Sequence, residues 1–382
     1  MMKADTVRVG DELQLKRTPV NLDPTKEYRQ IGLRSFGKGV IHYSPVPTDK
    51  LSKLRYFTFP QAALLLSNIK AWEGAISTST EAEEGFIASN RFLSYIPKQS
   101  DRVDVGYLRY YFLSAQGLPL INSCSPGMAD RNRTLGIKAF ENLRIPLPDI
   151  TTQRRIARRL DYLNSARDRC AAHLRQADNS IHALHDALCR TSGEVERVGE
   201  LVQMKRSPID INPDGEYQQI GVYSFGKGLI YRNPQPASTL SKIRYFQLPP
   251  KALVLSNIQA WEKAIAVSRE DDTHRIASNR FLTYLPKDPG RVDVNFLRYY
   301  FLSAQGHPLI LKASPGTMAR NRTLGIKAFE NLRIPLPDIT TQRQIASRLD
   351  RAYEALRRMQ QRGKEFDALY HSALNQAFAP VK

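Results

Sequence analysis

Apolar residues recur along the chain in two rhythms. In residues 55–59, 63–69 and 92–96 they form short runs, partly β-branched or aromatic, bounded by Pro, Asn or Gly. Such runs predict strands. From residue 156 the rhythm changes. Ile156, Leu160, Leu163, Cys170, Leu174, Ala177, Ile181, Leu184 and Leu188 are spaced by alternating fours and threes, with Arg167 in the one empty slot. This heptad seam predicts a helix over 153–190, ended by Thr191-Ser192-Gly193. At 1.5 Å per residue it spans roughly 55 Å.

The segments between these patterns have their own signals. Val9-Gly10-Asp11 opens the mixed α/β part, and Ser35-Phe36-Gly37-Lys38-Gly39 predicts a loop because two glycines permit positive φ. Asp104 is placed to cap a helix that runs to about Gln116, with Val105, Leu108, Phe112 and Ala115 on one face and Gly117 as its stop. A basic loop over 125–134 and a short helix over 138–142 then lead into Ile145-Pro146-Leu147-Pro148. Two prolines there enforce a stiff, extended exit into the long helix.

All of this occurs twice. Tyr28 matches Tyr217, Trp72 matches Trp261 and Asn90 matches Asn279, each pair 189 positions apart. The offset holds without insertion from Arg8/Arg197 to Asp161/Asp350, and residues 131–154 equal 320–343 at all 24 positions. A period this long is a duplicated domain, not a solenoid. The second seam is looser: Ile345, Leu349, Ala352, Leu356, Met359, Phe366 and Tyr370, with Gly363 in one slot. Leu356 stands where Arg167 stood.

Composition changes this picture in one respect. The 382 residues are 42% hydrophobic and 24% charged, ordinary for a globular protein, but the formal net charge is +19. Such an excess draws polyanions, nucleic acid first; a solvated basic surface or an acidic protein partner is the alternative. No apolar run reaches membrane-spanning length, and residues 1–10 do not resemble a signal peptide. Three scattered cysteines, Cys124, Cys170 and Cys189, point to a reducing cytoplasm.

Two long amphipathic helices in one chain bury their seams most simply against each other, and antiparallel closure is the easier arrangement. A direct repeat would then become a pseudo-two-fold in space, which suits two inverted half-sites on DNA.

Here the residues carry a family likeness. The exit Ile-Pro-Leu-Pro-Asp-Ile-Thr-Thr-Gln, followed by Ile156-Ala157 and a heptad helix, resembles the join between target-recognition domain and spacer helix in specificity subunits of type I restriction-modification systems. Gln30-Ile31-Gly32, residues 35–39, Leu66-Ser67-Asn68-Ile69, Ala88-Ser89-Asn90-Arg91-Phe92, Tyr107-Leu108-Arg109-Tyr110-Tyr111 and the 127–135 loop resemble the body of that domain. The likeness covers both copies. The join differs from the usual Glu-Gln in carrying Thr152-Gln153, and the two recognition domains are unusually close copies.

The resemblance implies an α/β fold: two mixed α/β target-recognition domains (1–150 and 193–339) separated by long helices (151–192 and 340–382) packed as an antiparallel coiled coil with pseudo-two-fold symmetry. It implies a bipartite, nearly palindromic double-stranded DNA target. It also implies two methyltransferase partners that use S-adenosylmethionine and flip out an adenine; complexes with and without a motor-nuclease subunit are both open. A stand-alone DNA-binding regulator, a non-DNA scaffold and a specificity subunit of a fused nuclease-methyltransferase are the competing readings.

Direct readout of bases needs forked donors and amides. Arg131-Asn132-Arg133 and Arg320-Asn321-Arg322 supply these in a loop after Pro-Gly; the alternative is a loop pinned by its own side chains. Lys38 and Lys227, each between glycines, suit phosphate or a plain turn. Asn90-Arg91 and Asn279-Arg280 start a strand, where a structural role competes with DNA contact. Positions that differ between copies are candidates for telling the half-sites apart: Lys70/Gln259, Arg34/Tyr223, His42-Tyr43/Tyr231-Arg232 and Asp130/Ala319. Trp72 and Trp261 are expected in the core.

Catalytic signatures are missing from the sequence. There is no P-loop, no GxGxxG unit, no Asn-Pro-Pro-aromatic stretch and no nuclease-like Pro-Asp…Glu-x-Lys cluster. His182, His185 and Cys189 share a helix at metal-ligand spacing, but the second copy has Leu374 and Phe378 in place of the last two. They are therefore expected to be solvated or to flank the seam.

Overall fold

The computed structural model describes residues 5–127, 133–316 and 322–379. It divides into two compact units, residues 1–172 with 362–382, and residues 173–361.

In the first unit, a four-stranded antiparallel sheet runs Leu13–Leu15, Phe92–Pro97, Leu64–Ser67, Ile76–Thr78. Its register places Phe92 opposite Ser67 and Tyr95 opposite Leu64. A second sheet contains Thr18–Pro19, Tyr56–Thr58, Phe86–Ser89, Glu27–Leu33 and Val40–His42, in that order. Its Phe86–Ser89 and Glu27–Leu33 strands are parallel. The run Leu64-Leu65-Leu66 is apolar at every position because both of its faces are covered. Leu64 and Leu66 join the core with Ile76, Leu93 and Phe112, while Leu65 joins Ile31, Ala63 and Phe86 on the other side.

The Val105–Leu113 helix packs on this sheet, its first turn capped by Asp104, whose Oδ1 accepts from Tyr107 N at 2.8 Å. It stops three residues short of the expected Gln116. The Ser114 hydroxyl donates to Tyr111 O at 2.6 Å and accepts from Gln116 N and Gly117 N. That local turn competes with helix continuation. Gly117 accordingly precedes the next helix, Leu118–Ser123, and Ala115 is exposed. A Cβ at Gly117 would lie 2.0 Å from Tyr111 O, so the turn requires glycine.

The Pro-Leu-Pro exit forms a strand, Arg144–Leu147, paired antiparallel with Asp5–Arg8. The first long helix then spans Ile150–Leu188, beginning three residues earlier than its seam indicates. Asp149 accounts for the earlier start, since its Oδ1 accepts from Thr152 N at 2.9 Å as an N-terminal cap. Within this unit Leu160 packs against Tyr370 and Leu374 of the second long helix, Ile339–Ala377. Arg167, the polar residue in the seam, stacks on Tyr370 at 4.3 Å and approaches Asp367 at 3.9 Å. The helix segments run antiparallel here: Ile156 meets the Phe378 end and Arg167 meets Asp367.

The second unit repeats the plan, with its sheet ordered Val202–Met204, Phe281–Pro286, Leu253–Ser256, Ile265–Val267. Its helix packing departs from the strict seam. Leu184 is exposed, whereas His185 and Cys189 are buried at 4% and 0% exposure. A straight helix drifts about 20° per heptad against a 3.5-residue repeat, so after four heptads the buried stripe has moved by roughly one position. His185 and Cys189 are thus neither solvated nor flanking. Cys189 lies in the domain core with Val198, Tyr300 and Phe329. His185 Nε2 lies 2.8 Å from Tyr299 O and Nδ1 2.8 Å from the Tyr353 hydroxyl.

Candidate nucleic-acid interface

Four segments of the first domain are tied together around one short turn. Residues 68–74 include a one-turn helix, Ala71–Glu73, carrying Trp72. The 35–39 loop hangs from it by Phe36 N to Glu73 O and Gly37 N to Gly74 O, both 2.8 Å. Ser35 Oγ donates to Glu73 Oε2 at 2.6 Å, and Lys70 Nζ donates to the same oxygen at 3.0 Å. These hydrogen bonds, Ser35 first, hold the Glu73 carboxyl below its ordinary pKa. Asn68 N donates to Arg91 O, and Leu135 N donates to Asn68 O, both at 2.7 Å. The 90–91 turn and the segment after residue 132 therefore meet at Asn68.

Side chains complete the cluster. Arg133 places its guanidinium 5.1 Å over the Trp72 ring and donates Nε to Gly127 O at 3.3 Å. Trp72 donates its indole N–H to Ile69 O at 3.0 Å. Lys38 lies 5.7 Å over the Phe36 ring. Lys38, Lys70, Asn90 and Arg91 are all exposed, and Arg133 is half-buried.

The second domain rebuilds this cluster from the matching residues. Phe225 N reaches Glu262 O at 2.8 Å, Asn257 N reaches Arg280 O at 2.8 Å, and Leu324 N reaches Asn257 O at 2.7 Å. Arg322 sits 5.6 Å over Trp261, and Lys227 sits 5.8 Å over Phe225. Asn279 and Arg280 are exposed on the matching turn. One feature differs. Gln259 replaces the Lys70 that pairs with Glu73, while Lys263 takes the place of Gly74, at φ +64. A cation has in effect moved four residues along the turn.

The structure thus gathers Lys38, Lys70, Arg91 and Arg133, and in the second domain Lys227, Arg280 and Arg322. Asn90 and Asn279 fall on the turns between strands, not at strand starts, and their amides donate to Arg55 O and Arg244 O. Arg131, Asn132, Arg320 and Asn321 lie outside the described residues, as do Asp130 and Ala319. Trp72 and Trp261 are not core residues: both are half-buried beneath an arginine, because the one-turn helix that carries them rides at the domain surface. Phe36, Phe225 and Lys263 escaped the sequence reading. The exchange of Gly74 for Lys263 within an otherwise matching Ala-Trp-Glu turn was the signal for the last.

Exposed lysines and arginines set around planar rings can neutralise phosphates and present forked donors to base edges. Among the described residues no group of three or more His, Cys, Asp or Glu is arranged to hold a metal ion, and no helix is long and apolar enough to cross a membrane.

No curated protein matches the chain. Among solved structures, a type I restriction-modification S subunit from M. genitalium aligns with 100% of this chain and 97% of its own, at 13% identity and TM-score 0.57. A structure described as showing complex assembly and conformational transition of the type I R-M system aligns over 99% and 98%, at 15% identity and TM-score 0.60. The HsdS subunit from Thermoanaerobacter tengcongensis aligns over 98% and 96%, at 16% identity and TM-score 0.49. At these identities the likeness to the first two is one of fold. The family model for the type I restriction modification DNA specificity domain matches twice, at residues 48–175 and 193–365, and with most of the sequence covered the chain belongs to that family.

Proposed function

We propose that this chain reads a bipartite, nearly palindromic DNA site for a type I restriction-modification complex, one half-site per recognition domain. The observation that carries the reading is the duplicated cluster. Loop, turn and arginine-over-tryptophan recur in both domains at an offset of 189 residues. Two near-equal readers favour two near-equal half-sites. Phosphate contacts from exposed lysines and arginines set affinity, and loop side chains set sequence.

In this reading the chain holds two methyltransferase subunits, which bring S-adenosylmethionine and carry out methyl transfer to adenine. A motor-nuclease subunit is a further partner. The role assigned to this chain is positioning, not catalysis. Methylome sequencing of cells expressing the chain with its methyltransferase tests this. The expected motif is interrupted, with two similar half-sites in inverted orientation. Two unrelated half-sites would overturn the palindromic reading.

A further inference from the structure

The Phe36 and Phe225 rings are 69% and 71% exposed, and their backbones sit at φ +60 and +61. A bulky side chain in the left-handed region is strained, and an exposed aromatic ring recovers little of that cost by packing. The strained loop is nonetheless firmly held. Two backbone hydrogen bonds and the Ser35–Glu73 bond pin it to the Trp72 turn, and Leu113 packs where a Cβ on Gly37 would come within 2.7 Å of it. The second domain repeats these features through Phe225 N to Glu262 O, Ser224 to Glu262 and Gly226 against Leu302. The fold fixes a ring in the open, twice, in the same local setting.

The surroundings identify what the ring meets. Lys38 lies over it, Arg34 closes the base of its loop by donating its backbone N–H to Gly39 O, Lys70 is on the turn to which the loop is bonded, and Arg133 lies over Trp72 of that turn. In both domains the exposed ring carries a lysine over its face and shares its anchoring turn with an arginine stacked on tryptophan, which fits a polyanion that has apolar faces inside it, namely duplex DNA. We infer that Phe36 and Phe225 are apolar wedges, each entering a base step of its half-site and partly unstacking it while neighbouring cations hold the phosphates. This rests on the DNA-reading function proposed above.

The test uses the intact complex of the chain with its methyltransferase. Its probes are a duplex carrying the motif found by methylome sequencing and a scrambled duplex. Phe36→Gly removes the ring and suits the positive φ, so thermal stability should not fall. Affinity for the motif duplex should drop roughly 10- to 100-fold. The slope of log affinity against log salt should stay unchanged, because no phosphate contact is lost. Lys38→Ala should instead lower that slope by about 0.9. With 2-aminopurine scanned through positions other than the methylated adenine, wild type should brighten one step per half-site, and Phe36→Gly should leave its own step quenched.

Unchanged affinity in Phe36→Gly would overturn the wedge, and so would a wild-type complex that brightens no step. Reduced recovery of assembled complex with normal DNA affinity would overturn it in favour of a subunit contact. A wild-type complex that fails to prefer the motif duplex would instead overturn the DNA-reading function itself.

Discussion

The guanidinium of Arg133 lies 5.1 Å over the indole of Trp72, and that of Arg322 lies 5.6 Å over Trp261. A cation over a half-exposed ring is worth about 0.5–2 kcal/mol, at the lower end where water reaches it. The stack and the Nε bond to Gly127 O fix the plane of the fork, so that its terminal Nη atoms are the donors offered to a phosphate or a guanine. Arg133→Ala should therefore cost less than about 1 kcal/mol of stability, while abolishing discrimination at one half-site. Arg133→Lys should keep part of the affinity and lose the discrimination, because an ammonium cannot make the bidentate contact. Melting temperature and methylation of half-site variants check this. A lower melting temperature with unchanged site preference would make Arg133 a pin for its own loop.

Gln153 joins each recognition domain to its long helix, with Gln342 as its twin. The side chain is fully buried and fills three of its four hydrogen-bonding positions, both donors among them. Nε2 donates to Pro148 O at 2.7 Å and to Arg102 O at 3.0 Å, and Oε1 accepts from Asp104 N at 2.9 Å. Gln342 makes the same three bonds to Pro337, Arg291 and Asp293. Gln153→Leu removes the partner of three buried or part-buried backbone groups and should cost roughly 3 kcal/mol. The loss should be local. Hydrogen exchange should quicken in the Val105–Leu113 helix, whose cap is Asp104, while the matching Val294–Leu302 helix stays protected. Equal protection of both helices in the variant would refute the latch.

The parts of the fold legible in the sequence are those decided by local or repeated pattern. The sandwiched Leu64-Leu65-Leu66 strand, the Asp104 cap and the Pro-Leu-Pro exit each announce themselves in a few residues. Helix phase does not. Leu184 fits the heptad count, yet His185 occupies the buried side, because the drift of a straight helix is a property of the whole rod. Trp72 reads as core from apolar neighbours, but its burial depends on where a one-turn helix comes to rest. Phe36 between Ser and Gly looks like turn filler until its φ and its exposure are known. The candidate interface is half legible for the same reason. Basic residue types show in the sequence, while their convergence on Asn68 requires strands far apart in the chain.

His185 gives the protein a pH-dependent stability term. Burial lowers its pKa from the ordinary value, partly offset by the bond to Tyr299 O and the nearby Asp186; His182 and Lys263 lower it further. The neutral ring donates Nε2–H to Tyr299 O and accepts from the Tyr353 hydroxyl at Nδ1. The unfolded chain thus binds the proton more readily than the folded one. The stabilisation is fully present above the unfolded pKa of about 6.5, and it is lost as pH falls from there toward the folded value. His185→Leu copies the buried Leu374 found at the matching position of the first unit. The variant should lose less melting temperature than wild type between pH 7.5 and about 5.5. Identical pH slopes for the two proteins would place the titrating group elsewhere.

The long helices are divided between the compact units at Ala172/His173 and at Gln361/Arg362. Inside the first unit Leu160 packs on Tyr370 and Leu374; inside the second, Tyr353 packs on the core that holds Leu349 and Cys189. Seven residues inserted at both boundaries keep each of these contacts and keep both seams in phase. They add about two turns, or about 10 Å, to each helix. If the helices measure the distance between half-sites, that length corresponds to about three base pairs. Three base pairs also rotate one half-site by roughly 100° about the duplex axis, since a turn holds about 10.5. The doubly extended chain should therefore stop methylating the original motif, and any motif it still modifies should carry a longer unspecified spacer. Insertion into one helix alone shifts one seam past the other and should lower thermal stability as well. Methylome sequencing of all three chains decides the matter: full methylation of the original motif by the doubly extended chain would show that the helices are not the ruler.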